Sequence, residues 1–396
     1  MKNVLIYNNI ENNLNYVNNQ NIYYSRGTLI EVHTADLHFG VMNPKVQYEI
    51  LTEQLLNKVK NINFDIFSIN GDIFDRKYMS NSDAVRYAIE FVNDVVNLCR
   101  IKGATLFLIS GTESHDANQL KLFYHYTTDK TVDVRIVEEM RFEYAKNAKI
   151  LCIPELYNKG EEYYENFLKE EEYDTVFMHG TYKGSIFQLN PKGLDSDREV
   201  TFKLEDFCLC HGPIISGHVH VQGCFDKYVY YCGSPYRWQF GEEQPKGFLV
   251  VCHNLDTQEH YTHFEEIQSF RYDTINLDAM LLDDPKNVIE YVNGLKNQGI
   301  DHVRVEFTSI NDDNLANFNI INNYYRTNGN VKIKSNYSET KKIIKENTDI
   351  LEEYSDYDYV LNPNLQPTDI FCRYVNQQKG YEYITVDRLV EILNEI

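Results

Sequence analysis

The chain has no run of apolar residues near the ~18 that a membrane-crossing helix needs, and its first residues lack the charged-then-apolar pattern of a secretory leader. A cytosolic protein, with no membrane partner, is expected. Regular cysteine spacing is missing too: eight cysteines are scattered without a framework, which suits buried reduced thiols rather than a disulfide scaffold. Cations are scarce, 38 Lys and Arg against 59 Asp and Glu, for a formal net charge of −21. That balance argues against a protein that simply coats nucleic acid, because such proteins draw phosphate to a surplus of Lys and Arg. It leaves open an enzyme that acts on nucleic acid, since bound divalent ions invert the local field and a partner can bring the basic surface. Tryptophan is almost absent, a single residue, so base stacking on indole has little to draw on.

What is present is enough for a large folded protein. Hydrophobic residues make up 43% and aromatics 13% of 396 residues, sufficient for two domains and a small further module. Residues 1–27 stand apart as an N-terminal extension, with nine Asn among the first 21, and read as an edge strand or a loosely ordered arm. From residue 28 to about 270 strand-like and helix-like segments alternate. Thr28–His33, Phe64–Ile69 and Thr105–Ile109 are short β-prone runs. Between them, Val46–Lys60 places Tyr48, Leu51, Leu55 and Val59 on one helical face, and Ser80–Arg100 opens with capping residues. The order β-α-β-α-β predicts an α/β core around a central sheet. Residues 271–337 repeat a compact β-α-β-α-β pattern without chemistry-bearing clusters and read as a separate small domain. Residues 338–396 carry charged and amphipathic helical stretches that could pack on their own domain or on a partner's helices.

The chemistry lies in short polar clusters, most of them set just after β-prone runs. They are Asp36-Leu37-His38, Gly71-Asp72, Ser114-His115-Asp116, His179 and Gly217-His218-Val219-His220. Carboxylate and imidazole groups delivered repeatedly to strand ends are what a two-metal phosphoesterase centre needs: strands fix the backbone, and the loops beyond aim oxygen and nitrogen ligands at one point. One carboxylate must bridge the two ions, and Asp72, beside flexible Gly71, is the best placed. Asp36 and His38 sit two apart on one strand-to-loop junction, and His218 and His220 repeat that spacing. Any one such pair is more often coincidence than a ligand pair. All of them together in this order are not.

These residues carry a resemblance. Thr34-Ala35-Asp36-Leu37-His38-Phe39-Gly40, Asn70-Gly71-Asp72-Ile73-Phe74-Asp75 and Ser216-Gly217-His218-Val219-His220 resemble the calcineurin-like metallophosphoesterase superfamily. Within it they are most similar to SbcD-type DNA repair nucleases, including phage recombination exonucleases, as is Tyr231-Cys232-Gly233-Ser234-Pro235-Tyr236. The resemblance implies an α/β (α+β) fold: a four-layer β-sandwich flanked by helices over 28–270, a capping domain over 271–337, and a C-terminal helical segment that docks on a partner. It implies two divalent ions, Mn²⁺ with Mg²⁺ as the alternative. Asp36, His38, Asp72 and His220 would hold one ion, and Asp72, His179 and His218 the other. His115 would orient the scissile phosphate or protonate the leaving oxygen, with Asp116 orienting His115. The implied activity is hydrolysis of phosphodiester bonds in DNA, as a homodimer within a heterotetramer with an SbcC-like coiled-coil ATPase. The rivals are a phosphatase or cyclic-nucleotide phosphodiesterase on the same core, and a non-catalytic scaffold with an incomplete second metal site.

One departure from the family pattern bears on the second ion. The family carries Gly-Asn-His-Asp/Glu, with Asn as a metal ligand; here the segment reads Gly111-Thr112-Glu113-Ser114-His115-Asp116. Counting back from His115 puts Ser114 in the Asn place. Counting forward from Gly111 puts Thr112 there, and Glu113 could swing in as a carboxylate. Arg76, Lys183, Arg237 and Trp238 lie near the motifs and are candidate substrate contacts, against the plainer reading of surface residues. Cys208-Leu209-Cys210-His211, with Cys224 and Cys232, hints at zinc, but the spacing fits no common zinc knuckle and alternating strand cysteines explain it better.

Overall fold

The computed structural model describes residues 27–335, apart from 117, 158, 160, 184, 186–200, 227, 278–283, 308–311 and 327–329. The N-terminal extension, except for Gly27, and the helices expected beyond residue 338 lie outside the described residues. The chain divides between Tyr272 and Asp273 into two units.

In chain order the first unit's strands are β1 (Thr28–Thr34), β2 (Ile66–Asn70), β3 (Thr105–Ile109), β4 (Asp133–Val137), β5 (Arg141–Ala145), β6 (Ala148–Ile153), β7 (Thr175–His179), β8 (Thr181–Tyr182), β9 (Thr201–Phe202), β10 (Ile214–Gly217), β11 (Gly223–Phe225), β12 (Val229–Tyr231), β13 (Gly247–Asn254) and β14 (His260–Glu266). They do not form the one central sheet that the alternation suggests. They build two six-stranded sheets, ordered β14-β13-β1-β2-β3-β4 and β11-β12-β10-β7-β6-β5. In each, four neighbouring strands run parallel, and antiparallel strands flank them. The inner strands β2, β3, β7 and β10 are buried along their whole length, as expected of parallel strands covered on both faces.

Three apolar layers hold the sheets together. Leu29, Ile66 and Phe107 of the first sheet meet Ile150, Phe177 and Ile215 of the second in the space between. The outer face of the first sheet packs on two helical stretches: α1 (Pro44–Ile50), continued through a π-helical turn (Leu51–Leu56) to Asn57–Val59, and α2 (Asp83–Lys102). The Ser82 side chain accepts from the Val85 N–H at the start of α2, and Gly103 closes it in the left-handed conformation, φ 64°. A short turn of helix, α3 (Glu113–Asp116), follows β3. The outer face of the second sheet packs on α4 (Glu161–Leu168) through Tyr164 and Leu168. The four-layer α/β sandwich is therefore present, with helices outside and two sheets inside.

The second unit, with Tyr272 just before it, pairs β15 (Tyr272–Leu277), β16 (His302–Phe307) and β17 (Val331–Ser335) in one sheet with α5 (Pro285–Asn297) and α6 (Asp312–Tyr325). Its own core is built on Val288, Val292, Val303, Val305, Phe307 and Ile321. The groups of metal-type donors found among the described residues all lie in the first unit.

Candidate metal centre

The loops that follow β1, β2, β3, β6, β7 and β10 meet at one end of the two sheets. Backbone bonds tie the first two together: Asp36 N–H donates to the Gly71 carbonyl at 3.0 Å, His38 to Asp72 at 2.9 Å and Phe39 to Ile73 at 2.8 Å. The Asp36 carboxylate accepts from the His218 N–H at 3.0 Å, joining the first sheet to the second. Gln47, fully buried, braces the His38 loop from below; it accepts from Gly40 N–H at 2.7 Å and donates to the His38 carbonyl at 2.9 Å. Asp36, His38, Asp72 and His218 all adopt positive φ, between 44° and 87°. For residues other than glycine that costs about 1 kcal/mol or more apiece, and it persists where surrounding bonds over-determine the loop. Gly71 permits the closest approach: a Cβ there would lie 2.0 Å from His179 Nδ1, and its φ is +87°.

The side chains converge. His38 and His220 face each other with their Nε2 atoms 3.1 Å apart, and His220 Nε2 lies 3.9 Å from Asp36 Oδ1. Asp72 Oδ2 sits 3.6 Å from His38 Nε2 and 3.4 Å from His179 Nε2, between the two sides. On the far side Glu155 Oε2 lies 3.5 Å from His179 Nε2 and 3.3 Å from His218 Nδ1. Four overlapping groups of possible ligand atoms result: Asp36–His38–His220, His38–Asp72–His115, Asp36–Asp72–His179 and Glu155–His179–His218.

The donors suit divalent cations. His179 Nε2 and Asp36 Oδ2 are buried polar atoms with no hydrogen-bond partner, a costly state that a bound cation would relieve. The Asn70 carbonyl, 2.7 Å from His179 Nδ1, sets the ring so that Nε2 points at the carboxylates. The electrostatics agree. Burial opposes charge on His179, but Asp72, Asp36 and Glu155 outweigh it and hold its pKa well above the ordinary value, so the pocket favours positive charge there. Asp72 is held well below the ordinary range, because the neighbouring imidazoles outweigh its burial. Burial pushes Asp36 up to about 6. Burial also pushes His38 down to about 4 and His220 well below 6.5, leaving both neutral, as metal ligands must be.

The remaining expected residues fall in different places. His115 stands at the rim, its ring 4.7 Å from that of His38, with Nδ1 held by the Asp75 carbonyl. Asp116 does not orient His115. Its buried carboxylate accepts from the N–H groups of Asp72 (2.9 Å), Gly111 (2.9 Å) and Phe74 (3.2 Å), and so fixes the loop that carries Asp72. Ser114 is exposed, and Glu113 is exposed and belongs to none of the donor groups. The position directly after Gly111 is the one at the centre: Thr112 N–H donates to Asp72 Oδ1 at 2.7 Å, and its hydroxyl to Glu155 Oε2 at 2.8 Å. Trp238 packs its ring 5.1 Å from His38 and 4.8 Å from His220, walling one side. Arg237 is occupied by loop carbonyls, its Nε donating to Glu242 at 2.8 Å and its Nη2 to Gln244 at 2.7 Å. Arg76 and Lys183 are exposed, Arg76 paired with Asp75 at 2.6 Å. Among the described residues no cysteine joins a donor group.

One residue escaped the sequence reading: Glu155 follows β6 in Ile153-Pro154-Glu155, with no motif around it, although it too sits just beyond an apolar run. Lys246, a cation in the loop beyond the last motif, is buried behind the centre, its Nζ donating to the His220 carbonyl at 2.9 Å and to Ser234 Oγ at 2.6 Å.

Comparison with known proteins points the same way. Residues 32–222, just under half the chain and the stretch that carries Asp36 through His220, match the calcineurin-like phosphoesterase family model. A putative phosphoesterase, 244L, of Invertebrate iridescent virus 6 is 23% identical over 228 residues, covering 56% of this chain and 74% of the viral one. Among solved structures, a cold-active protein tyrosine phosphatase is similar over 59% of this chain and 78% of its own, at 13% identity and a TM-score of 0.26. A second crystal structure is similar over 60% and 99%, at 11% identity and a TM-score of 0.36. Scores that low carry no weight for fold or function. The family match supports the calcineurin-like metallophosphoesterase superfamily and, with the donor groups, metal-assisted hydrolysis of phosphoesters.

Proposed function

We propose that the chain is a metal-dependent phosphodiesterase that cuts DNA, the nuclease subunit of an SbcCD-like repair or recombination complex. The observation that carries the chemistry is the convergence of Asp36, His38, Asp72, His179, His218 and His220 at the end of two packed sheets. Asp36, His38, Asp72 and His220 would hold one ion, and Asp72, His179 and His218 the other, with Mn²⁺ ahead of Mg²⁺. A bound pair supplies Lewis-acid polarisation of the phosphoryl group and a hydroxide nucleophile near neutral pH.

The chain's own residues do the rest. Asp116 holds the Asp72 loop through three backbone N–H groups, so the carboxylate that both ions would share is fixed before substrate arrives. His115, its Nδ1 engaged by the Asp75 carbonyl, presents the other nitrogen to substrate; in its imidazolium form it can hand a proton to the leaving oxygen. Trp238 keeps water from one flank of His38 and His220. Exposed Arg76, ion-paired with Asp75, and exposed Lys183 are cations that could meet a nucleic-acid backbone. With a net charge of −21, a partner must supply most of the basic surface, which suits an SbcC-like ATPase. A homodimer within a heterotetramer is the proposed assembly.

DNA rather than a small ester is favoured by the resemblance of Tyr231–Tyr236 to the nuclease segment and by the β-α-β-α-β unit after residue 272, which a small phosphatase does not need. A phosphatase or cyclic-nucleotide phosphodiesterase is the second reading; Arg76, exposed beside the Asp72 loop, is a residue that could grip a terminal phosphate. End-labelled linear duplex DNA with Mn²⁺ separates them. The wild-type protein should degrade it, while His115→Ser and Asp72→Ala should each lose cutting by roughly 10²-fold or more. Equal cutting by all three would mean a contaminant. Turnover of small phosphate esters with intact DNA would favour the second reading.

A further inference from the structure

We propose that Glu155 is a ligand of the second ion, replacing the amide that the family pattern carries after the third strand. The inference rests on the two-ion reading of the centre and adds a residue that the resemblance does not provide.

The geometry is specific. Glu155 stands at the end of β6, tied to the end of β3 by its N–H donating to the Ser110 carbonyl at 3.3 Å. Its side chain is only 6% exposed. Oε1 accepts from the Tyr157 hydroxyl at 2.6 Å and Oε2 from the Thr112 hydroxyl at 2.8 Å. Held from both sides, Oε2 faces His179 Nε2 and His218 Nδ1. His179 Nε2 is fully buried without a hydrogen-bond partner and stands between Glu155 and Asp72, 3.5 Å from one and 3.4 Å from the other, so it points into the same space.

Thr112 explains why the ligand has moved. Gly111 lies so close to Asp72 that a Cβ there would sit 2.2 Å from Asp72 Oδ1, which brings the next residue directly against the bridging carboxylate. An Asn at 112 would reach the ion with an amide oxygen. The threonine hydroxyl is shorter and a weaker ligand; here it donates to Glu155 at 2.8 Å while the Thr112 N–H donates to Asp72 at 2.7 Å, so the one residue aims both carboxylates. The second ion therefore gains a full negative charge where its relatives have a neutral donor. That predicts tighter binding of hard, oxygen-preferring ions such as Mn²⁺ and Mg²⁺. It also reverses the expectation, drawn from the missing Asn alone, of a weakened second site.

The test counts ions rather than turnover. Mn²⁺ binding to metal-free full-length protein is followed by calorimetry and by electron paramagnetic resonance, for wild type, Glu155→Gln and the double variant Thr112→Asn/Glu155→Gln. Wild type should bind two ions with a spin-coupled signal. Glu155→Gln should keep the first ion unchanged, weaken the second by at least ~10-fold and lose the coupling at one equivalent excess. The double variant, which returns an amide to the position after Gly111, should regain part of the second affinity. Should Glu155→Gln fail to fold, Glu155→Asp draws the carboxylate back by one methylene and should weaken the same ion alone. Two ions bound at wild-type affinity by these Glu155 variants would overturn the assignment while leaving the two-ion centre standing. Fewer than two ions in the wild type would overturn both.

Discussion

Around Asp36, two imidazoles face each other at 3.1 Å and burial pushes both toward the neutral form. Around Glu155, a single buried imidazole, His179, lies against carboxylates that push it toward the charged form. The two sides use the same residue types with different carboxylate density, and Asp72 belongs to both. The first side is ready to accept a cation without losing a proton from its histidines. The second attracts positive charge more strongly but must give up a proton to accept it.

The comparison can be broken most severely at the shared residue. Asp72→Ala should remove both ions and lower phosphodiesterase activity by roughly 10²-fold or more, as expected when several kcal/mol of metal-derived stabilisation is lost; retention of either ion at full affinity would separate the two sides. His220→Gln should act on one side only, with the Asp36 ion weakened ~10–100-fold and the Glu155 side intact by ion counting.

How much of this was legible in the sequence follows from the same asymmetry. Asp36-Leu37-His38, Gly71-Asp72 and His218-Val219-His220 could be read because each places paired or Gly-flanked donors just past a β-prone run. Glu155 could not, being one acid among 59 Asp and Glu with no neighbouring donor. The count back from His115 favoured Ser114, but α3 begins at Glu113 and turns the chain outward, so the count forward from Gly111 is the one that reaches Asp72. The split into two sheets was implied by the resemblance but not by the alternation of elements, because fully buried parallel strands look alike whichever sheet they join. The turn that opens the second sheet was hidden as well. Lys146 and Asn147, at φ 52° and 68°, form a two-residue hairpin loop between β5 and β6 without the Asn-Gly or Asp-Gly signature. The helix over Val46–Lys60 was visible, but its π-helical turn was not, because buried Leu51 and Leu55 satisfy either spacing.

Proton release offers a finer contrast. Asp36, at about 6, and His179, held above its ordinary value, must both be deprotonated to ligate. Apparent metal affinity should therefore rise as pH climbs towards about 6, where Asp36 loses its proton, and go on rising beyond that for His179, by about tenfold per unit for each proton displaced. A flat profile by calorimetry would contradict these directions. Below these effects, Ser114→Ala should leave ion counts and activity unchanged and shift stability by no more than about 0.5 kcal/mol. A measurable loss of the second ion would return Ser114 to the centre.

The most direct test is anomalous scattering from Mn²⁺-soaked crystals near the manganese edge. Two peaks ~3.5–4 Å apart are expected, one among Asp36, His38, Asp72 and His220, the other among Asp72, Glu155, His179 and His218. A single peak, or none, in a crystal with these loops ordered would contradict the account.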